Sequence, residues 1–192
     1  MNQRPTKIII LDRDGVINAD NADYIKCATE WLPLPGSIEA ICTLCQQGYS
    51  VYVATNQSGI GRGLFSLGDY QAINDKMINT VNAGGGKIAG VFYCPHTPDD
   101  NCGCRKPKPG LFRQIAAHAG LSIEGVAAIG DSRRDLEASA AAGCRPILIR
   151  TGNGRNTEAG LLKTPLDSAG SIPVFDDLTA AVASLIAAES QP

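Results

Sequence analysis

No stretch of this 192-residue chain approaches the roughly 18 consecutive apolar residues of a membrane-spanning helix. The polar start Met-Asn-Gln-Arg-Pro-Thr-Lys has no apolar centre of the kind a secretory leader carries, so a cytoplasmic protein with no membrane partner is expected. Net basic charge is missing too. Seventeen Lys and Arg against nineteen Asp and Glu leave a formal charge of −2, which argues against a general nucleic-acid binder. A small anionic substrate stays compatible, because local basic clusters can exist under a near-neutral total. There is no internal repeat and no linker rich enough in Pro, Gly or Ser to divide the chain, so a single domain over residues 1–192, present as a monomer, is expected. Charged residues at 19% and hydrophobic ones at 44% make a globular composition of sufficient length to bury a core.

What is present concentrates first at residues 8–18, where four aliphatic residues, Ile8 to Leu11, end abruptly in Asp12 and Asp14. A run without polar alternation must be covered on both faces, as a central strand of a parallel sheet is. In open α/β sheets the carboxyl edge of such strands is where ligands bind. An acidic turn after an ordinary strand would look the same in isolation; the rest of the chain decides.

Residues 19–34 read as a loop across the mouth of that edge. Ser37 is positioned to cap a helix with apolar positions Ile38, Ile41, Cys42, Leu44 and Cys45, closed by Gly48. Tyr49 to Ala54 is a second buried strand, followed by Thr55-Asn56-Gln57-Ser58-Gly59. A helix is expected from about Leu67 to Asn82, a strand from Gly90 to Tyr93, and a helix from Leu111 to Ala119. A fourth strand, Val126 to Ile129, runs into Gly130-Asp131-Ser132. A helix through Leu136 to Ala142 and a strand from Pro146 to Ile149 follow. Past Arg155 the pattern weakens to a short strand near Val174 and an Ala-rich helix from Leu178 to Ala188. Repeated strand–helix alternation predicts an α/β, doubly wound, mostly parallel sheet with right-handed crossovers.

Four strand ends thus deliver polar groups to one edge: Asp12 and Asp14, Thr55 and Asn56, Arg105 and Lys106, then Asp131 and Asp135. Neighbouring carboxylates ionise together only with a cation among them, and oxygen ligands favour a hard ion such as Mg²⁺. With a phosphomonoester as substrate, Asp12 would attack phosphorus and Lys106 would neutralise the non-bridging oxygens. Asp14 would protonate the leaving alkoxide and then take a proton from the hydrolytic water. Thr55 would donate its hydroxyl, Asp131 would hold the metal, and Asp135 reads equally as a ligand or as a partner behind one.

Seven cysteines are an odd number, and three of them fall between residues 94 and 104. Cys94, His96, Cys102 and Cys104 suit a closed tetrahedral structural Zn²⁺ site, and a reducing compartment disfavours disulfides. The loop 94–109 is therefore read as a small zinc-binding insertion that stiffens Arg105 and Lys106. Cys42, Cys45 and Cys144 read as packing residues, His118 as a surface or half-buried one, and Arg150 and Arg155, just after the fifth strand, as groups that either reach the site or lie solvated at the surface.

In order, Asp12-Arg13-Asp14-Gly15, Thr55, Lys106 and Gly130-Asp131 resemble the four motifs of the haloacid dehalogenase superfamily of phosphatases, over residues 7 to about 155. The resemblance implies a haloacid dehalogenase-like Rossmannoid sheet, an aspartyl-phosphate intermediate, and Mg²⁺ bound by Asp12, the backbone oxygen of Asp14 and Asp131. The superfamily's large cap domain has no room here. Thr-Asn-Gln-Ser-Gly-Ile-Gly-Arg-Gly and Cys-Pro-His with Cys-x-Cys-Arg-Lys-Pro further resemble the D-glycero-D-manno-heptose-1,7-bisphosphate 7-phosphatases, which serve nucleotide-heptose and lipopolysaccharide biosynthesis. That likeness implies a small phosphorylated sugar as substrate, contacted by Thr55, Asn56, Gln57, Ser58, Arg62, Arg105 and Lys106. Histidinol-phosphate phosphatases share the zinc loop and form the alternative, as does a catalytically silent zinc-stabilised binding module. Ser58, where the histidinol group typically has an acid, and Arg62 favour a bisphosphate, which has a second dianion to hold.

Overall fold

The computed structural model describes residues 7–166 and 171–189. Six strands form one sheet, all in parallel, in the order β3-β2-β1-β4-β5-β6. They are β1 (Lys7–Leu11), β2 (Tyr49–Asn56), β3 (Ile88–Cys94), β4 (Ala127–Gly130), β5 (Arg145–Ile149) and β6 (Val174–Phe175). The α-helices are α1 (Ser37–Gln46), α2 (Ser58–Gly61), α3 (Leu67–Ala83), α4 (Gly110–Ala119), α5 (Arg133–Ala141), α6 (Gly154–Lys163) and α7 (Leu178–Glu189).

The aliphatic run of β1 explains the layering. Ile9 and Leu11 join a core with Ile41 and Leu44 of α1, Ile73 and Met77 of α3, and Leu178 and Val182 of α7. Ile8 and Ile10 turn the other way, onto Leu111, Phe112 and Ile115 of α4 and Ala138 of α5. A strand sandwiched between two helical layers has no solvated face, hence its lack of polar alternation. Strand order reverses at β1, between β2 and β4, so the carboxyl ends of β1 and β4 flank a topological switch point, where such sheets form a ligand crevice.

Two sequence-derived expectations change in detail. Ser37 does not cap α1: Gly36 stands at the N-cap with φ of 76°, and the Ser37 hydroxyl donates to the carbonyl of Ile17 at 2.6 Å, pinning the start of the loop over the site. The stretch after Arg155 holds a full helix, α6, as well as the short β6. By contrast, α3 begins where a capping box forms, with Ser66 and Asp69 satisfying each other's backbone N–H groups.

Candidate active site

At the end of β1, Asp12 emerges with its amide donating to the carbonyl of Ile129 on β4 at 2.9 Å, which ties the two strand ends together. Lys106, 2% exposed, reaches across from the loop after β3. Its ammonium lies 2.9 Å from Asp12 Oδ1 and 2.5 Å from Asp135 Oδ1, and donates to the carbonyl of Ala54 at 2.7 Å. Asn56 at the end of β2 holds that loop in place: its side chain accepts from the Lys106 amide at 3.1 Å and donates to the Lys106 carbonyl at 3.0 Å. Asp135 also faces the α5 N-terminus, accepting from the Ser132 amide at 3.0 Å and from the Ser132 hydroxyl.

Asp131 follows β4. Its Oδ2 accepts from the Asn153 amide at 2.7 Å, and its carbonyl accepts from the Thr157 hydroxyl at 2.8 Å. Gly15 makes room for it: with φ of 81°, a Cβ there would stand 2.1 Å from Asp131 Oδ2. Oxygen atoms of Asp12, Asp131 and Asp135 lie within 4.8 Å of one another. Burial pushes the Asp12 carboxyl well above the ordinary range, the Asp135 carboxylate adds to this, and Lys106 opposes it. Burial and then Asp135 push Asp131 up to about 7. Burial would also raise Asp135, but Lys106 and Ser132 outweigh it and hold that carboxyl low. One buried ammonium among three carboxylates leaves negative charge in excess, and the donor set is all oxygen. Both features fit a hard divalent cation such as Mg²⁺.

Asp14 is in a different environment. Arg13, 1% exposed, donates to both of its oxygens at 3.0 Å; Asn18 adds a bond at 2.9 Å and Gln57 one at 2.8 Å. Burial alone would raise this carboxyl, but Arg13 followed by Asn18 and Gln57 reverses the sign and holds it below the ordinary value. Gln57 also donates to the Thr55 hydroxyl at 2.9 Å.

These groups line a cavity of about 440 Å³. Asp12, Asp14, Thr55, Asn56, Gln57, Ser58, Arg62, Arg105, Lys106, Asp131 and Asp135, all singled out from sequence, are on its wall. The loop 19–34 contributes Asp20, Asn21 and Tyr24. Arg134 and Asn153 line it as well and were not legible in the motifs; Asn153 follows β5 at the same sheet edge, and that placement is the signal that could have found it. Burial and the neighbouring Arg134 guanidinium lower the Arg105 pKa. The Arg105 guanidinium donates only to the carbonyl of His96, at 3.1 Å, among the described residues. Arg150 is held away from the site by Glu158 and Asp176.

Behind the cavity, Cys94, His96, Cys102 and Cys104 converge. Their sulfur–sulfur distances are 3.2–3.5 Å, and His96 Nδ1 lies 3.5 Å from Cys94 Sγ and 3.3 Å from Cys104 Sγ. A disulfide would need about 2.05 Å, and all three cysteines are free. Four soft or borderline donors at the corners of a compact tetrahedron fit Zn²⁺. His118 is exposed, its ring edge against Tyr52 and Phe92. No helix among the described residues is long and apolar enough to cross a membrane.

A family model described as polynucleotide kinase 3 phosphatase matches residues 7–132, and one described as HAD-hydrolase-like matches residues 103–181. The chain is 49% identical to a D-glycero-beta-D-manno-heptose-1,7-bisphosphate 7-phosphatase of Pseudomonas aeruginosa, over 93% of this chain and 97% of that protein. It is 52% identical to the enzyme of the same name from Bordetella bronchiseptica, over 80% and 86%. A crystal structure of D,D-heptose 1,7-bisphosphate phosphatase from B. bronchiseptica, complexed with magnesium and phosphate, superposes with a TM-score of 0.89 at 47% identity, over 95% of this chain and 99% of that one. The matching family models, about half identity over most of the chain and the shared fold agree, and the chain belongs to the haloacid dehalogenase-like phosphatases, in the family of the D-glycero-D-manno-heptose-1,7-bisphosphate 7-phosphatases.

Proposed function

We propose that this protein removes the 7-phosphate of D-glycero-D-manno-heptose 1,7-bisphosphate through an aspartyl-phosphate intermediate. The observation behind this reading is the pairing of Asp12 with the buried Lys106 at 2.9 Å, beside Asp131 and at the wall of the cavity. Lys106 favours the ionised form of Asp12 against burial and the Asp135 charge, and aims its carboxyl. Asp12 Oδ attacks phosphorus, forming an O–P bond as the P–O7 bond breaks; Asp14, which Arg13, Asn18 and Gln57 hold as a carboxylate in the free protein, must take up a proton as the substrate dianion binds, and gives that proton to O7. Asp14 then accepts a proton from the water that attacks the phosphoaspartate, and inorganic phosphate leaves as the Asp12 carboxylate is regenerated. Thr55 stands on the cavity wall beside Asp12 and donates its hydroxyl to a phosphoryl oxygen, while Arg62, Arg105 and Arg134 supply positive charge for the distal phosphate.

Mg²⁺, held by Asp12, the Asp14 carbonyl and Asp131 with Asp135 behind them, would neutralise charge on the transferring phosphoryl group. Zn²⁺ on Cys94, His96, Cys102 and Cys104 would hold the loop that presents Arg105 and Lys106.

The test is kcat/KM on the heptose bisphosphate and on histidinol phosphate, with magnesium supplied and with it chelated. The bisphosphate is expected to be preferred by at least about a hundredfold, on the scale at which buried polar complementarity discriminates substrates, and chelation to abolish turnover. Asp12→Asn is expected to eliminate activity with the fold and zinc content intact. A preference for histidinol phosphate, or turnover by Asp12→Asn, would overturn the proposal.

A further inference from the structure

Trp31, the lone tryptophan of the chain, does not line the cavity but is fully buried within the loop that crosses the site. Its indole N–H donates to Asn18 Oδ1 at 2.9 Å. Asn18 is also fully buried, and its amide nitrogen donates in turn to Asp14 Oδ1 at 2.9 Å and to the carbonyl of Ala19 at 2.8 Å. An indole N–H can only donate, so the Asn18 atom facing it must be the oxygen, which leaves the NH₂ group facing Asp14. The orientation of the amide is thereby determined from both sides.

Trp31 is anchored from α3. The Lys76 ammonium donates to the carbonyls of Trp31 at 2.8 Å and of Ala28 at 2.7 Å, and lies 5.9 Å from the Trp31 ring centroid. The same loop carries Asp20, Asn21 and Tyr24 on the cavity wall, where a leaving group would be met. A continuous chain of contacts, with Trp31 and Asn18 fully buried at its centre, therefore joins α3, the loop over the site and the Asp14 carboxyl.

We propose that Asn18, held by the Trp31 indole, is the positioning residue that aims the Asp14 carboxyl at the leaving-group oxygen, so that the loop over the site and the proton donor act as one body. This rests on the proposed role of Asp14 as the acid of the first step. General-acid help matters for a poor leaving group such as a sugar alkoxide and little for p-nitrophenolate, which departs without a proton. A residue that serves only the proton donor is therefore recognised by which substrate suffers when it is changed.

The experiment measures kcat and KM on the heptose bisphosphate and on p-nitrophenyl phosphate, with thermal midpoints recorded alongside. It compares the wild type with Asp14→Asn, Asn18→Ala, Trp31→Phe and the Asn18→Ala/Trp31→Phe double variant. Trp31→Phe keeps an aromatic ring at this position and deletes the N–H together with part of the indole's bulk, which the thermal midpoint registers separately. Asp14→Asn is expected to lose about 10²- to 10⁴-fold in kcat on the sugar phosphate and far less on the aryl phosphate. Asn18→Ala is expected to lose about 10- to 100-fold in kcat on the sugar phosphate, the scale of a misplaced catalytic group, with KM and the aryl reaction nearly unchanged. Trp31→Phe should show a smaller loss of the same kind, and the double variant should be no worse than Asn18→Ala, because Trp31 acts through Asn18.

Equal losses on both substrates for Asn18→Ala, beside a selective loss for Asp14→Asn, would overturn the inference and leave the acid role standing. Multiplicative losses in the double variant would overturn it too. Asp14→Asn losing both substrates equally would overturn the acid role and this inference with it. Should Asn18→Ala fail to fold, Trp31→Phe alone decides: a selective loss on the sugar phosphate supports the inference, and wild-type behaviour overturns it.

Discussion

Lys106 and Arg13 show how much of this site is an arrangement of buried charge. Each is a fully buried cation, and each is spent on one of the two aspartates of the β1 motif: Lys106 on Asp12, Arg13 on Asp14. The outcome differs because their surroundings differ. Burial pushes both carboxyls up; at Asp12 the nearby Asp135 and Asp131 add to it and the shared cation does not offset them, whereas at Asp14 a guanidinium fork and two amide donors outweigh it and hold the carboxyl down. Removing the shared cation should expose this imbalance. Lys106→Met leaves the Asp12 and Asp135 carboxylates buried without a partner, and breaking such a pair costs about 3–5 kcal/mol. A clearly lowered thermal midpoint is expected without divalent metal, and added magnesium chloride should raise the midpoint of the variant by more than it raises that of the wild type. Equal shifts in the two proteins would mean that the carboxylate cluster does not bind the ion.

At the scale of elements, the sheet was legible because β1, β2, β4 and β5 are short apolar runs that end in polar residues at one edge, and α1, α3 and α4 were legible from their helical spacing. What escaped did so for physical reasons. Helix α6 starts with Gly154, Asn156 and Thr157 around a single good helix former, Arg155, so its helical state is decided by tertiary bonds, such as the Thr157 hydroxyl on the Asp131 carbonyl. Ser37 looked like a cap, yet the carbonyl of Ile17 was the better partner once the loop had folded back. Motif reading brought Asp12, Asp131, Lys106 and the cysteines to one site, but it gave no sign of the bonds from Arg13 and Asn18 to Asp14, which depend on side-chain direction and not on spacing. The zinc loop is the element whose role is easiest to isolate. Cys102→Ser removes one of four donors and should cost zinc content. Because Arg105 and Lys106 directly follow Cys104, kcat/KM should fall by about tenfold or more, while far-UV circular dichroism stays near that of the wild type, since both cores lie mainly elsewhere. Full activity in a zinc-free variant would show that the loop holds its shape unaided.

For the molecule as a whole, a formal charge of −2 conceals a local reversal of sign. The acids of the site are gathered around the β1 and β4 ends, whereas Arg62, Arg105 and Arg134 line the cavity with no carboxylate partner among the described residues. Unpaired guanidiniums on a wall open to solvent attract a dianion, and that attraction is screened by salt. The Debye length falls from about 10 Å at 0.1 M to about 3 Å at 1 M. The Asp12–Lys106 pair, buried and in direct contact, is screened far less. Binding of the distal phosphate and chemistry at the transferring one should therefore separate when salt is raised. On the proposed reading, sodium chloride should raise KM for the heptose bisphosphate more steeply than KM for a simple sugar monophosphate, with kcat changing little for either. Arg62→Ala should flatten that difference and weaken kcat/KM for the bisphosphate by about tenfold, the size of one lost charge-assisted contact, with the monophosphate almost unaffected. Parallel losses on the two substrates would place Arg62 outside the recognition of the second phosphate and leave that task to Arg105 and Arg134.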